Sequence, residues 1–486
     1  QGLEKVLSLR QEILAGDEKR LKEQRDAGKL TARERIAKIA DAGSFVELFA
    51  LVSRNDEGAG VVTGYATIEE RPVYLFAQDF TVRGGAMGQL QAAKIVKLLE
   101  LAQKTGAPVL ALMDSAGVRI DEGAQALSAY SEIYQKMARM SGVCPMVALV
   151  LGPCIGGAAL LSQLADVSIV AEKVGQLMVF GPQVMAAMNG EQVDAEKFGG
   201  AKVAAEMGAC ALTAASEDEA LLKARQVLAL LPSSNLEDAE IVNADDLNRL
   251  LPAIDPADAD ALLNAVADQG TLVELYAAYE PSIKVALARL GGSSVGLVAA
   301  NGKLTAGALQ KAARFVRFMD CYGIPVVSLL NTSGVEVNGV KEQGWLFKAQ
   351  SQLLYAYAEA TVPKVAVVSG DAIGQAYVAM GGKAMADVTY AWPSAVISAL
   401  TPEAAVAVLY QDEVKADKEL SVEEARAKYA SEYVENVAGC LNAAKQGMVD
   451  DVIEPAQTRA MLISALEMLM SKRDSNPPKK HGNLPM

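Results

Sequence analysis

The sequence predicts an α/β protein built from two tandem domains that arose by internal duplication. Short apolar runs alternate with helical segments along most of the chain, which is typical of a largely parallel sheet. A glycine-rich turn at Gly156-Gly157 is also matched 218 residues later (374 − 156) by a turn at Gly374. The alternation and the repeat together favour duplication of one α/β domain.

Both turns have the pattern of a buried strand that runs into a helix. The apolar residues 146–151 precede Gly156 and Gly157, and the apolar residues 365–368 precede Gly374, Gln375 and Ala376. At such a junction the first backbone N–H groups of the helix have no intrahelical partner, so they can bind an anion or an oxyanion. The sequence therefore predicts two oxyanion sites that need no reactive side chain.

Two further elements repeat in the same order. Residues 43–49 are echoed by residues 270–276, and residues 106–117 are echoed by residues 323–334. Because three separate elements recur with similar offsets, we predict a first domain at residues 1–250 and a second at residues 251–486. The acidic stretch that ends near residue 260 is interpreted as the linker.

The N-terminal region differs from the rest of the chain. Residues 1–40 are charged and helical in pattern, and Thr31 with Glu34 forms a capping box that starts a new helix. The charges before Thr31 are interpreted as a solvated helical face. From residue 43 onward the pattern changes to short β-rich runs, so helices precede the first sheet.

The composition excludes several classes of function. The chain has 486 residues, 51% of them hydrophobic and 21% charged, and its net charge of −14 argues against nucleic acid binding. The five cysteines lie far apart and the only histidine is His481, so a metal site and a Ser-His-Asp triad are not expected. No signal peptide is visible, which favours a cytoplasmic protein. Residues 143–165 carry no charge, but their prolines and glycines indicate a strand and a turn rather than a membrane span.

Paired oxyanion turns without a usable histidine suit reactions that pass through an enolate. In such reactions backbone donors stabilise the developing oxygen charge, and each donor contributes about 10²–10³ in rate. Taken alone, Gly156-Gly157 could also be only a tight strand-to-helix turn. The second copy favours the functional interpretation.

Seven segments of the sequence resemble one known family. They are LTARERI (30–36), QDFTV (78–82), GPCIGG (152–157), GGAK (199–202), ARFVRF (313–318), YAYAEATVPK (355–364) and YAWPSA (390–395). Together they are similar to the biotin-dependent carboxyltransferases. That family includes the β subunit of propionyl-CoA carboxylase, the large transcarboxylase subunit and the α subunit of methylmalonyl-CoA decarboxylase. The resemblance extends over essentially the whole chain.

The resemblance implies two crotonase-like domains, each a ββα spiral. The acyl-CoA would be held by residues 1–250 and biotin by residues 251–486. The N–H groups of Gly156 and Gly157 would stabilise the thioester enolate, and those around Gly374, Gln375 and Ala376 would stabilise the ureido oxygen of biotin. Biotin would serve as the base, which explains why the chain needs no histidine.

The resemblance also implies partners. The sequence contains no biotin attachment motif and no ATP-binding glycine-lysine motif. A separate biotin carboxyl carrier protein is therefore expected, together with either a biotin carboxylase or membrane decarboxylase subunits, through which the chain could associate with a membrane. By analogy the chain forms a homohexamer of paired trimers, and the active site lies between the N-domain of one subunit and the C-domain of another.

Several supporting residues follow from the same resemblance. The expected cofactor-binding residues are Gly84, Gly85, Ala86, Lys94, Gly117, Arg119, Ile373 and Val378. Arg83, Lys94 or Arg119 could meet the phosphates of CoA, and each could equally be a surface or helix-end charge. Asp114 could be an acid or a base but is more typical of a turn, and Cys154, without a neighbouring base, is interpreted as an inert thiol.

The second turn departs from the family pattern. Gln375 stands where the family has a second glycine, and residues 332–339 replace the usual Pro-Gly-Phe and its glycine loop. Val378 stands where propionyl-CoA carboxylases carry a polar residue, which favours the decarboxylases and the transcarboxylase. The leading hypothesis is a carboxyltransferase subunit for a propionyl-CoA or methylmalonyl-CoA type of substrate. The alternatives are a carboxylase of another chain preference, such as acetyl-CoA or glutaconyl-CoA, and a non-catalytic scaffold.

Overall fold

The computed structural model describes residues 1–55 and 57–486, and it divides the chain into two compact units, Gln1–Ala239 and Glu240–Met486. Each unit has its own eight-stranded sheet and its own hydrophobic core. We call them the first unit and the second unit. Among the described residues, no helix has the length and apolar character needed to cross a membrane.

The first unit begins with helices and continues as an alternating α/β domain. Its helices are α1 (Gly2–Ala15), α2 (Glu18–Asp26), α3 (Ala32–Ile39), α4 (Gln89–Thr105), α5 (Ala124–Met140), α6 (Gly157–Leu164), α7 (Pro182–Asn189), α8 (Ala195–Gly199), α9 (Ala201–Glu206) and α10 (Glu217–Leu230). Its strands are β1 (Val46–Leu48), β2 (Ser53–Arg54), β3 (Glu57–Gly58), β4 (Val61–Ile68), β5 (Arg71–Gln78), β6 (Val109–Ser115), β7 (Met146–Ile155), β8 (Val167–Ala171), β9 (Gln176–Met178) and β10 (Leu212–Ala214).

The sheet of the first unit runs in the order β1-β4-β5-β6-β7-β8-β10, and β9 pairs with β7. The first three strands are antiparallel neighbours, and the pairs from β5 onward are parallel. Every residue of β6 and β8 is buried, as expected for parallel strands that are covered on both faces. The carboxyl ends of β6 and β7 therefore lie side by side at one edge of the sheet.

The second unit has the same plan. Its helices are α11 (Ala259–Val266), α12 (Ala306–Cys321), α13 (Val340–Glu359), α14 (Gln375–Met380), α15 (Pro402–Leu409), α16 (Gln411–Ala416), α17 (Val422–Tyr433), α18 (Cys440–Lys445) and α19 (Thr458–Leu469). Its strands are β11 (Val273–Leu275), β12 (Ile283–Leu290), β13 (Ser293–Leu304), β14 (Val326–Val335), β15 (Lys364–Ile373), β16 (Val388–Ala391), β17 (Val396–Ser398) and β18 (Asp451–Val452).

The strand order of the second sheet is β11-β12-β13-β14-β15-β16-β18, and β17 pairs with β15. Each strand of the second sheet thus corresponds to a strand of the first. The short strands β9 and β17 also correspond, since each pairs with the strand that runs into the glycine turn. The predicted α/β fold with two tandem domains is confirmed. A common strand order is what duplication of one domain produces.

The units divide between Ala239 and Glu240, whereas the sequence placed the division after residue 250. Val242 donates its N–H to Gly292 O at 2.9 Å, and Arg249 Nη1 donates to Ala265 O at 2.9 Å. Leu251 is also buried in the core of the second unit. Residues 240–250 therefore pack with the second unit, because their hydrogen bonds and apolar contacts are made there.

The capping box predicted at Thr31 is present, and it positions Arg35 on α3. Arg35 is fully buried; its Nη1 lies 2.8 Å from Asp114 Oδ2 and its Nε lies 2.6 Å from Glu217 Oε1. Lys29 Nζ lies 2.9 Å from the other oxygen of Asp114. This buried network ties the N-terminal helices to the end of β6, beside the candidate site.

Candidate active site

The first turn, which we define as Gly156-Gly157, joins β7 to α6. Gly156 has a positive φ of 63°, and its N–H donates to Met178 O of β9 at 2.9 Å. Gly156 O accepts the N–H of Ala159 at 3.1 Å. The N–H of Gly156 is therefore not available to an oxyanion, in contrast to the expectation from the sequence, because the ladder with β9 uses it. The N–H groups of Gly157 and Ala158, at the start of α6, are the donors that this geometry leaves for a ligand.

Two tyrosines of α5 pack against the first turn. The rings of Tyr130 and Tyr134 are stacked with centroids 5.5 Å apart, and Tyr134 Oη donates to Gly157 O at 3.0 Å. A Cβ atom at residue 157 would lie 2.6 Å from Tyr130 Cζ. Only glycine fits at this position, because a contact of that length is a steric overlap.

The loop predicted to line the CoA entrance lies beside the first turn. Ala116 donates its N–H to Gly84 O at 2.9 Å, and Met87 donates its N–H to Gly117 O at 2.8 Å. Gly85 and Ala86 are buried in the same loop. Tyr130 Oη donates to Gly117 O at 3.2 Å. The structure therefore brings Gly84, Gly85, Ala86 and Gly117 together with the first turn.

The three basic residues predicted near CoA differ in their surroundings. Lys94 is buried and donates to Val61 O at 2.6 Å, and burial lowers the pKa of its amine to about 8. Arg119 is also buried, with Nε 3.4 Å from Ala86 O. Arg83 alone is exposed, and its Nη2 pairs with Asp121 at 2.9 Å. Lys94 and Arg119 thus mainly stabilise the interior of the first unit by donating to backbone carbonyl oxygens.

Two cations that the sequence analysis did not single out lie near Gly84. Arg20, Lys29 and Arg83 line a cavity of about 450 Å³ together with Phe80 and Gly84. Lys29 Nζ stands 4.2 Å from the centroid of the Phe80 ring. An aromatic ring with three cations suits a phosphorylated adenosine. Its phosphates would share these cations with carboxylates, because Glu23 also lines the cavity, Lys29 pairs with Asp114 and Arg83 pairs with Asp121.

Asp114 and Cys154 are both buried next to the first turn. Asp114 belongs to strand β6 and not to a turn, and both of its carboxylate oxygens are paired with cations. Burial raises the pKa of the Cys154 thiol, so the thiol stays protonated at neutral pH. Neither group has the free, ionisable atom that an acid, a base or a nucleophile needs. Within residues 1–55 and 57–486 no cluster of His, Cys, Asp and Glu could hold a metal ion.

The second turn, which we define as Gly374-Gln375, joins β15 to α14. Gly374 has φ 76°, and its N–H donates to Ser398 O of β17 at 3.0 Å. The side chain of Gln375 is exposed and Ala376 is buried. The backbone therefore repeats the first turn, and the N–H groups at the start of α14 belong to Gln375 and Ala376.

The other residues predicted at the second turn have distinct positions. Ile373 ends β15 and is buried, whereas Val378 is exposed on α14. Each unit has exposed apolar side chains on segments near its turn in the sequence, at corresponding positions. They are Ile120, Leu127, Leu160 and Phe180 in the first unit and Val337, Trp345, Val378 and Leu400 in the second.

Tyr130 and Tyr134 were not among the predicted site residues. Tyr130 and Tyr134 are four residues apart on a predicted helix, which places them on one helix face. That spacing was a usable signal that the two rings act together. Their contact with Gly157 depends on how α5 packs against β7, and the spacing does not reveal this.

The known proteins that this chain resembles agree on one family. A family model described as the carboxyl transferase domain matches residues 23–484. The α subunit of methylmalonyl-CoA decarboxylase from Veillonella parvula is 40% identical, over 97% of this chain and 96% of that protein. The propionyl-CoA carboxylase β chain from Saccharopolyspora erythraea is 37% identical, over 98% of this chain and 94% of that protein.

A solved structure resembles the whole chain. Transcarboxylase 12S, described as a hexamer assembly with methylmalonyl-coenzyme A and methylmalonic acid bound, superimposes with a TM-score of 0.93 and 38% sequence identity. The match covers 100% of this chain and 98% of that chain. Together with the two matching sheets, this confirms the predicted pair of crotonase-like domains.

Proposed function

This chain belongs to the carboxyl transferase family and is an enzyme of that family; we propose that it moves a carboxyl group between biotin on a separate carrier protein and a small acyl-CoA of the propionyl-CoA or methylmalonyl-CoA type. The observation that carries the proposal is the first turn, where a backbone donor is held at a helix N-terminus beside the Gly84–Ala86 loop. A thioester enolate needs such a donor at its oxygen.

In the first unit, the N–H of Gly157 would donate to the thioester oxygen as negative charge develops on it. The turn needs no reorganisation for this, because Gly156 and Ala159 are already fixed by their own hydrogen bonds. A donor fixed in advance stabilises the enolate more than the neutral thioester, so it lowers the barrier to enolate formation.

We propose that the phosphate end of CoA binds in the cavity lined by Arg20, Lys29 and Arg83. Three observations support this: the cavity includes Gly84 of the predicted CoA entrance, it carries three cations, and Phe80 offers an aromatic face. Lys94 and Arg119 are assigned to supporting roles, because their charged groups bond to carbonyl oxygens of the interior. The fit is chemical: guanidinium and ammonium groups bind phosphate oxygens.

The residues of the second turn fit biotin. Gly374 has nearly the same backbone conformation as Gly156, and the substitution at residue 375 leaves the backbone N–H in place while its side chain is exposed. The N–H groups of Gln375 and Ala376 would hold the ureido oxygen, with Ile373 and Val378 as apolar neighbours. Biotin supplies the carboxyl group and the base.

We propose that the chain works as a homohexamer, in which the first unit of one copy faces the second unit of another. The exposed apolar side chains on the segments near both turns support this, because apolar side chains at a surface are covered when that surface forms an interface. A biotin carboxyl carrier protein would deliver biotin, and a biotin carboxylase or membrane decarboxylase subunits would complete the enzyme.

The test is release of CO₂ by the purified protein with biotin and malonyl-CoA, methylmalonyl-CoA or glutaconyl-CoA. We expect methylmalonyl-CoA to react fastest, and a biotinylated carrier to raise the rate further. Fastest release from another substrate would indicate a different chain preference. No release from any substrate, even with the carrier, would contradict the proposal and favour a scaffold. Protein with Gly157→Ala controls for contaminating enzymes.

A further inference from the structure

The tyrosine pair, Tyr130 and Tyr134, makes contacts that the proposed reaction does not by itself require. Tyr134 Oη donates to Gly157 O at 3.0 Å, and Tyr130 Oη donates to Gly117 O at 3.2 Å. The pair thus contacts both backbone segments that meet at the first turn.

Two N–H groups at the start of α6 are left for a ligand. The N–H of Gly156 donates to Met178 O and that of Ala159 donates to Gly156 O. The N–H groups of Gly157 and Ala158, in the first turn of the helix, have no intrahelical acceptor and are the candidate oxyanion donors.

The pair also holds the start of α6 in place. The Tyr130 ring fills the space beside the Gly157 Cα, where a Cβ would lie 2.6 Å from Cζ. The bond from Tyr134 holds the carbonyl of Gly157, and the planar peptide then fixes Ala158 N as well. Burial raises the pKa of Tyr130, and it raises the pKa of Tyr134 to about 12, so both hydroxyls keep their protons at neutral pH.

The second unit has no such pair at the corresponding positions. The buried residues of α5 at 126, 129, 133 and 137 recur on α13 at 346, 349, 353 and 357, an offset of 220 that aligns Tyr130 and Tyr134 with Gln350 and Leu354. Neither is aromatic. The contrast indicates that the pair is tied to the chemistry of the first turn and not to the fold that both units share.

We infer that Tyr130 and Tyr134 are positioning residues for the oxyanion donors: they hold Gly157 and the Gly157–Ala158 peptide so that the N–H groups at the start of α6 meet the enolate oxygen. This inference rests on the proposed function of the first turn. It assigns the tyrosines no direct contact with substrate.

Tyr130→Phe and Tyr134→Phe test the inference, because each keeps the ring and removes only the hydroxyl. We expect kcat for CO₂ release from methylmalonyl-CoA to fall about tenfold in each variant, with KM changed less than about twofold. Tyr74→Phe is the matched control: its hydroxyl, in the same unit, receives a hydrogen bond from Thr105 at 3.1 Å and lies outside the site. Its kcat should equal that of the wild type.

A binding measurement separates this inference from the proposed reaction. The nitronate form of 2-nitropropionyl-CoA is a planar anion that imitates the enolate, and propionyl-CoA imitates the ground state. By calorimetry, Tyr130→Phe and Tyr134→Phe should weaken nitronate binding about tenfold and leave propionyl-CoA binding unchanged.

The inference would be overturned if Tyr130→Phe and Tyr134→Phe had the same kcat and the same nitronate affinity as Tyr74→Phe. A loss of affinity for the two ligands in parallel, which a merely structural role predicts, would also overturn it. If the wild type binds the nitronate preferentially but releases no CO₂, the proposed function fails and the inference stands on binding. If Tyr130→Phe does not fold, Tyr134→Phe decides, because Tyr134 is only partly buried and its hydroxyl makes a single bond.

Discussion

The two glycine turns have nearly the same backbone and different surroundings. Gly156 and Gly374 have φ values of 63° and 76°, and each donates its N–H to the short strand beside it. At the first turn the tyrosine pair presses on residue 157 and requires glycine. At the second turn residue 375 is a glutamine whose side chain is exposed. Duplication thus preserved the backbone, while the side chains packed around each turn diverged with its task.

The two units also differ in the charge of one side chain near the end of a strand, which is β6 in the first unit and β14 in the second. Asp114 of β6 is fully buried and pairs with Arg35 and Lys29. Its counterpart in β14 is Asn331, whose Oδ1 accepts the N–H of Asp371 at 3.1 Å. Asn331 thus links two neighbouring strands through a neutral amide, whereas Asp114 ties the end of β6 to the N-terminal region through ion pairs.

The largest expected effect in this comparison comes from Asp114→Asn, which gives the first unit the residue of the second. Arg35 and Lys29 would lose their shared buried carboxylate, so we expect the free energy of unfolding to fall by about 3–5 kcal/mol. Chemical denaturation measures this. Asn331→Ala, which removes only neutral hydrogen bonds, should lower it by about 1–2 kcal/mol. Equal losses would show that the charge does not distinguish the two strand ends.

Gly157→Ala is the next largest change. The new Cβ would overlap the Tyr130 ring, so the turn must shift and the oxyanion donor with it. We expect kcat to fall about 10²–10³-fold, as when one oxyanion donor is removed. Steady-state kinetics checks this, and Gln375→Ala is the matched control because residue 375 already carries a Cβ. A fully active Gly157→Ala protein would refute the steric role of the tyrosines.

A pair of buried lysines gives a smaller effect that depends on pH. Lys94 and Lys311 occupy corresponding positions on α4 and α12, and burial lowers the pKa of each to about 8. The unfolded state keeps its proton up to about pH 10.4, so between these values it binds more protons than the folded state. The free energy of unfolding therefore rises with pH in this window, by up to about 1.4 kcal/mol per pH unit for each lysine.

Lys94→Met should remove the contribution of one lysine to that rise. The difference in unfolding free energy between wild type and variant would then grow from pH 8 to pH 9.5 and stay constant below pH 7. Lys311→Met should give the same slope with a larger constant loss, because Lys311 bonds to the carbonyls of Tyr276, Tyr279 and Glu280. A difference that does not change with pH would mean that neither lysine is neutral in this window.

The smallest effect is expected for Gln375→Gly. The exposed glutamine side chain can be removed without changing the backbone N–H, so kcat should stay within about threefold of the wild type. The CO₂-release assay measures this. A complete loss of activity would assign the glutamine side chain a direct role at the biotin site.

The sequence predicted the duplication, the two turns and the family, because these are recorded in local order and spacing. The prediction of the capping box at Thr31 was also correct, since a capping box is a contact between neighbours in the chain. The roles of Lys94, Arg119 and Gly156 could not be predicted from the sequence. Each depends on a carbonyl that comes from another strand, and the sequence does not show which carbonyl that is.

Two α/β domains with matched glycine turns and the motifs of a carboxyl transferase can therefore be read from the residues alone. Long-range packing sets the rest: that β9 engages the N–H of Gly156, that Asp114 is an ion-pair partner, and that Tyr130 and Tyr134 enclose Gly157. The difference lies in the range of the interactions. Turns and caps form between residues that are close in the chain, whereas donors and buried charges are satisfied by groups that packing brings from far away.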